Sequence, residues 1–145
     1  MRFSMFVLVL GLVALAGCGS SDTRPKAVPA KGSVFYKNSP AGGVLVVFHP
    51  LDKGRENAEK PVATTKEDGT FVLTTYNEND GAPEGEYGIT LVWNQKAKDQ
   101  KFSLNSEGGG GGVDKFGGRY GDPGKPKIKK TVKKGDPNEF KLEVE

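Results

Sequence analysis

The chain has 145 residues, 35% of them hydrophobic and 27% charged, the balance of one soluble globular domain and not of a disordered or membrane-filling chain. Gly occurs 21 times and Pro nine times; Gly stands at about twice its usual share of roughly 7%, which favours turns and strands over helices. A single Cys and a single His exclude an internal disulfide, a thiolate–imidazole zinc site and any centre that needs two histidines.

Arg2 places a positive charge at the start, and residues 3–16 are apolar apart from Ser4 and Gly11. The run is shorter than the roughly 20 residues of a membrane-spanning helix and has the length and flanks of a secretory h-region. Leu15-Ala16-Gly17-Cys18 resembles the bacterial lipobox. That resemblance implies cleavage before Cys18 and diacylation of its thiol. Residues 1–17 are thus expected to be a lipoprotein signal peptide and residues 18–27 a lipidated tether, which anchors the protein to a membrane through its acyl chains. The lone Cys agrees, since an exported protein with an unpaired thiol otherwise carries a liability. Gly19 occupies the position where Asp would signal inner-membrane retention, so the resemblance implies the outer membrane of the cell envelope. Removal of Arg2 with the leader leaves 20 basic against 18 acidic residues, a net charge that points to no particular partner.

Residues 28–145 read as strands. Val34 and Tyr36 share a parity in residues 31–37, and residues 44–49 are apolar on both parities, as in a central strand covered on both sides. Pro40, Gly42 and Gly43 make the turn between them. Residues 62–66 and 70–75 are expected to pair as a hairpin through Glu67-Asp68-Gly69. Residues 86–94 put Tyr87, Ile89, Leu91 and Trp93 on one face. Residues 127–134 form a weaker strand with Ile128 and Val132 inward, and residues 139–145 one with Phe140, Leu142 and Val144 inward. Gly108–Gly112 is five glycines in a row, read as a flexible loop. Six to seven short strands with regular turn signals predict an all-β antiparallel sandwich.

Gly32-Ser33-Val34, Pro40, Gly43-Val44, Val47-Phe48 with Pro50, residues 65–73 and Gly85-Glu86-Tyr87 together resemble the carboxypeptidase regulatory-like domain. Small bacterial lipoproteins of this kind carry a segment similar to residues 114–120. The resemblance implies a transthyretin-like, seven-stranded Greek-key sandwich that is normally a non-catalytic module. The enzymes of that fold are a poor match. Hydroxyisourate hydrolases need several histidines and a Tyr-Arg-Gly-Ser ending, and intradiol dioxygenases hold iron with two Tyr and two His.

Other chemistry is equally thin, so no catalytic residue, metal or cofactor is expected. His49 abuts Pro50 at a strand end. Gly124-Lys125 lacks the spacing of a phosphate-binding loop. Residues 77–81 have calcium-type oxygen ligands without the full loop pattern, and read as a turn. An isopeptide between Lys31 or Lys37 and Asn138, with Glu86 beside it, has no sequence pattern to support it. Binding is the better prospect. Phe116, Arg119 and Tyr120 flank two glycines in a loop, where recognition commonly sits, and their rings, with Phe35 and Tyr76, are read as surface rings; Trp93 is read as core. Lys127, Lys129, Lys130, Lys133 and Lys134 mark either a protected edge strand or a contact for anionic headgroups or polysaccharide. Nucleic acid conflicts with export and with the absence of interleaved aromatics. The expectation is a non-catalytic envelope module for a polysaccharide or protein partner, the alternative a regulatory docking subunit of an envelope peptidase or transport complex.

Overall fold

The structure, a computed structural model, describes residues 23–94 and 113–145; the leader, the lipobox, Cys18 and the five-glycine run lie outside the described residues. The strands are β1 (Ala27–Val28), β2 (Lys31–Tyr36), β3 (Ser39–Pro40), β4 (Leu45–Pro50), β5 (Val62–Thr64), β6 (Thr70–Val72), β7 (Ala82–Pro83), β8 (Gly85–Val92), β9 (Ile128–Val132) and β10 (Glu139–Val144). One sheet has β2 at its centre, with β10 along one side and β6 and β3 along the other. The second has the order β5-β4-β8-β9, and β1 pairs β7 in a small separate ladder. Among the described residues the protein is all-β.

Alternation builds the core. In β10, Phe140, Leu142 and Val144 are buried while Glu139, Lys141 and Glu143 are exposed, the period of a strand with one wet face. In β8, Tyr87, Ile89 and Leu91 are buried, and in β9 Val132 is buried with Ile128 packed beside it. These side chains meet Val34, Phe71 and Leu142 of the other sheet in one cluster. Phe48 and Phe140 join the layers across it, with ring centroids 5.6 Å apart. The arrangement is sandwich-like, and each strand face follows the parity predicted for it.

Three expectations need correction. The last strand does not run antiparallel to its neighbour: β10 lies parallel to β2, with Phe140 opposite Gly32 and Leu142 opposite Val34. Gly32 is required at that crossing, because a Cβ there would run into the Phe140 carbonyl oxygen and come within 2.7 Å of Phe71 Cζ. The hairpin at Glu67-Asp68-Gly69 forms its turn, with the Lys66 and Thr70 backbones bonded at 2.8 Å, but its arms part. β5 joins β4, and β6 joins β2 in the opposite sheet, so the hairpin turns a corner of the sandwich and the arms meet again at Val62 and Thr74. Finally, β4 is central in its sheet but is not covered on both sides. Val44, Val46 and Phe48 are fully buried, whereas Leu45 is 42% exposed and opposes Thr64 and Val92 on the outer face.

Candidate functional site

One end of the sandwich gathers most of the aromatic side chains that the sequence singles out. The chain leaves β8 at Trp93 and returns at Asp114, which bridges Asn94. The Asp114 carboxylate then organises the loop. Oδ1 accepts the Trp93 and Phe116 N–H groups at 2.9 and 3.1 Å, and Oδ2 accepts the Gly118 N–H at 2.8 Å. Burial alone would raise this carboxyl, but the three N–H donors outweigh it and hold the group below its ordinary value. Gly117 and Gly118 follow with φ of 62° and 75°, a left-handed pair that only glycine adopts without strain.

That turn drives Phe116 inward. Phe116 is 1% exposed, so the expected surface ring is corrected: it is a core side chain that pins the loop to the sheets. Its centroid lies 5.7 Å from Tyr36, 5.5 Å from Trp93 and 5.6 Å from Tyr120, within the range of favourable edge-to-face and tilted ring pairs. Tyr36, Trp93 and Tyr120 are partly buried and pack against the core from outside. Trp93, read as core from its parity, is therefore a rim residue. The Tyr120 carbonyl accepts the Leu91 N–H at 2.9 Å, which ties the far side of the loop to β8.

Cations surround the three rim rings. Lys115 Nζ stands 3.9 Å from the Trp93 centroid and 5.5 Å from Tyr36, and Lys37 Nζ is 5.3 Å from Tyr36. Arg119 and Lys127 lie 5.9 and 5.5 Å from the Tyr120 ring. These are cation–π distances. The structure thus joins Arg119 and Tyr120 of the predicted loop with Lys127 of the predicted lysine cluster, and adds Tyr36, Lys37 and Lys115. The last three escape sequence reasoning because Tyr36 and Lys37 belong to a strand end some eighty residues earlier in the chain.

The remaining lysines lead away from this end. β9 bonds only to β8, so Lys129 and Lys130 lie on an edge strand, and Lys133 and Lys134 follow it toward the opposite end of the sandwich. There a cleft of about 350 Å³ is lined by Pro25, Lys26, Val28, Arg55, Glu84 and Lys134. Arg55 Nη1 donates to Asp52 Oδ2 at 3.1 Å and to the Glu84 carbonyl at 2.7 Å, and Nη2 donates to the Tyr87 hydroxyl at 3.0 Å. Arg55 Nε is buried without a hydrogen-bond partner.

Other residues considered from the sequence are engaged locally. His49 Nε2 lies 2.9 Å from Thr90 Oγ1, and burial, then the charge of Lys60, pushes its imidazole below the ordinary value. Asp80 accepts the Thr75, Tyr76 and Asn77 N–H groups at 2.7, 3.0 and 2.9 Å, which makes the 77–81 loop self-clasped. The Asn138 amide donates to the Pro29, Lys133 and Asp136 carbonyls and its Oδ1 accepts the Lys133 N–H, while Lys31 pairs with Glu139 at 3.7 Å. Phe35 and Tyr76 are partly exposed, beneath Lys141 and Arg24 respectively.

The chain matches no protein-family model, no curated protein sequence and no solved structure. Its fold and its side-chain geometry therefore carry the functional reading.

Proposed function

We propose that the protein is a lipid-anchored component of the cell envelope, held through acylated Cys18 in the outer membrane, whose β-sandwich is a non-catalytic binding module of transthyretin-like, Greek-key build. Its ligand is an envelope polysaccharide, bound at the aromatic end. The observation that carries this reading is the rim of Tyr36, Trp93 and Tyr120 around buried Phe116, ringed by Lys37, Lys115, Arg119 and Lys127. Ring faces and edges offer amphipathic surface of low conformational entropy for sugar CH groups, and the flanking cations suit acidic substituents on them. Loop 114–120 is rigidly held, so little ordering cost falls on the ligand.

The test is co-sedimentation of the mature, acylated protein in detergent with polysaccharide from its own envelope, at low and high salt. Pelleting is expected to survive high salt in part, because stacking is not screened. Tyr120→Ala should weaken it roughly fivefold, the loss of about 1 kcal/mol of ring contact, with a melting temperature that excludes unfolding. Phe116→Ala is the wrong probe, since it removes a core ring. Absence of pelleting at either salt concentration overturns the polysaccharide reading.

A further inference from the structure

The cleft at the opposite end has features that neither the fold nor the aromatic rim requires. Three cationic side chains line it, Lys26 from the tether, Arg55 from the loop after β4 and Lys134 from the end of the lysine run, against one carboxylate, Glu84. Glu84 is already engaged: its Oε1 accepts the Lys134 backbone N–H at 2.7 Å. Arg55 is fixed at three points by Asp52, the Glu84 carbonyl and the Tyr87 hydroxyl, so its guanidinium is preorganised. Its Nε–H nevertheless has no partner although it is buried. A buried, charged donor without an acceptor costs on the order of 1–3 kcal/mol, and such orphans call for an occupant. A guanidinium with a free N–H and two flanking ammonium groups is the chemistry that binds tetrahedral oxyanions, and a cleft of this size takes a phosphate with a small substituent.

We infer that this cleft binds a phosphate group, carried by a lipid headgroup or free in solution, with Arg55 Nε–H, Lys26 and Lys134 as its donors. The source, though not the chemistry, rests on the lipid-anchor reading. Seven residues from Cys18 to Pro25 span at most about 25 Å, which keeps the cleft within reach of headgroups at the anchoring membrane.

The experiment follows the Arg55 Nε–H resonance of the 15N-arginine-labelled mature protein in maltoside micelles, titrated with inorganic phosphate and with glycerol 3-phosphate. The same resonance is read in phosphatidylglycerol nanodiscs. A saturable shift with a dissociation constant at or below about 1 mM is expected, and Lys26→Ala with Lys134→Ala should weaken it at least tenfold while leaving the melting temperature in place. A shift with the soluble phosphates identifies free phosphate as a ligand; a shift in nanodiscs alone identifies the headgroup. An Nε–H unmoved by all three probes, or affinity unchanged in the double variant, overturns the inference. Mass analysis of the same N-terminus reads acylation separately, so failure of the anchor reading would be seen without a change in the Arg55 titration.

Discussion

At the scale of single residues, Asp114 and Phe116 determine whether loop 114–120 exists as a shaped surface. Removing the carboxylate leaves three backbone donors without their acceptor; Asp114→Ala is expected to destabilise the fold by about 2 kcal/mol, measured as a shift in urea midpoint. Its stabilising contribution is present above the ordinary carboxyl value of 3.8 and is lost as pH falls through the depressed folded value. Phe116→Ala empties the centre of the ring cluster and should cost about 3–5 kcal/mol. His49 titrates in the opposite chemical sense and with the same sign in pH. Its folded value lies below 6.5, so the unfolded chain takes up the proton first, and stability falls as pH drops below about 6.5. His49→Gln should flatten that slope between pH 7.5 and 5.5 in urea titrations. Phe116 was legible in the sequence as an aromatic beside two glycines, but its direction was not. Whether a loop ring faces water or core depends on the Asp114 clasp, whose donors include Trp93, 21 residues upstream.

At the scale of elements, the exposed edges follow a rule. β3 has two residues, and β5 and β6 three each, so these edges are short. The longer edge strands, β9 and β10, carry alternating charge: Lys129 on β9, and Glu139, Lys141 and Glu143 on β10, are exposed. Short or charged edges resist pairing with other chains. Replacing Lys129 and Lys133 with Thr should leave stability within about 0.5 kcal/mol yet speed the growth of thioflavin-positive aggregates several-fold at neutral pH. Unchanged aggregation would assign those lysines to ligand or membrane contact alone. The strand faces were readable because a period of two maps directly onto the pleat, as in Phe140, Leu142 and Val144. The partners were not: Glu67-Asp68-Gly69 specifies a tight turn but says nothing about the two sheets into which its arms diverge, and nothing in residues 139–144 announces a parallel neighbour.

At the scale of the whole molecule, β9 and its flanks connect two ends of different character. Lys127 lies over Tyr120 at the aromatic end, and Lys134 lines the cleft at the end where the tether arrives. On the anchor reading the cleft end faces the membrane and the aromatic rim faces away from it. Cys18→Ser should therefore release the protein from the membrane fraction and abolish the acyl mass at the mature N-terminus. A membrane-bound variant with an unaltered N-terminus would refute the lipobox reading. Composition and short-range pattern were enough to determine the all-β class, the inward face of nearly every strand and the turn positions, because each depends on residues within a few places of one another. Tertiary structure alone decided the parallel β2–β10 pairing, the inward ring of Phe116, the rim formed with Tyr36 and Lys115, and the orphaned donor of Arg55. Each of these arises from contacts between segments distant in the chain, and such contacts are selected by the packing of two sheets around a shared core, which no local periodicity encodes.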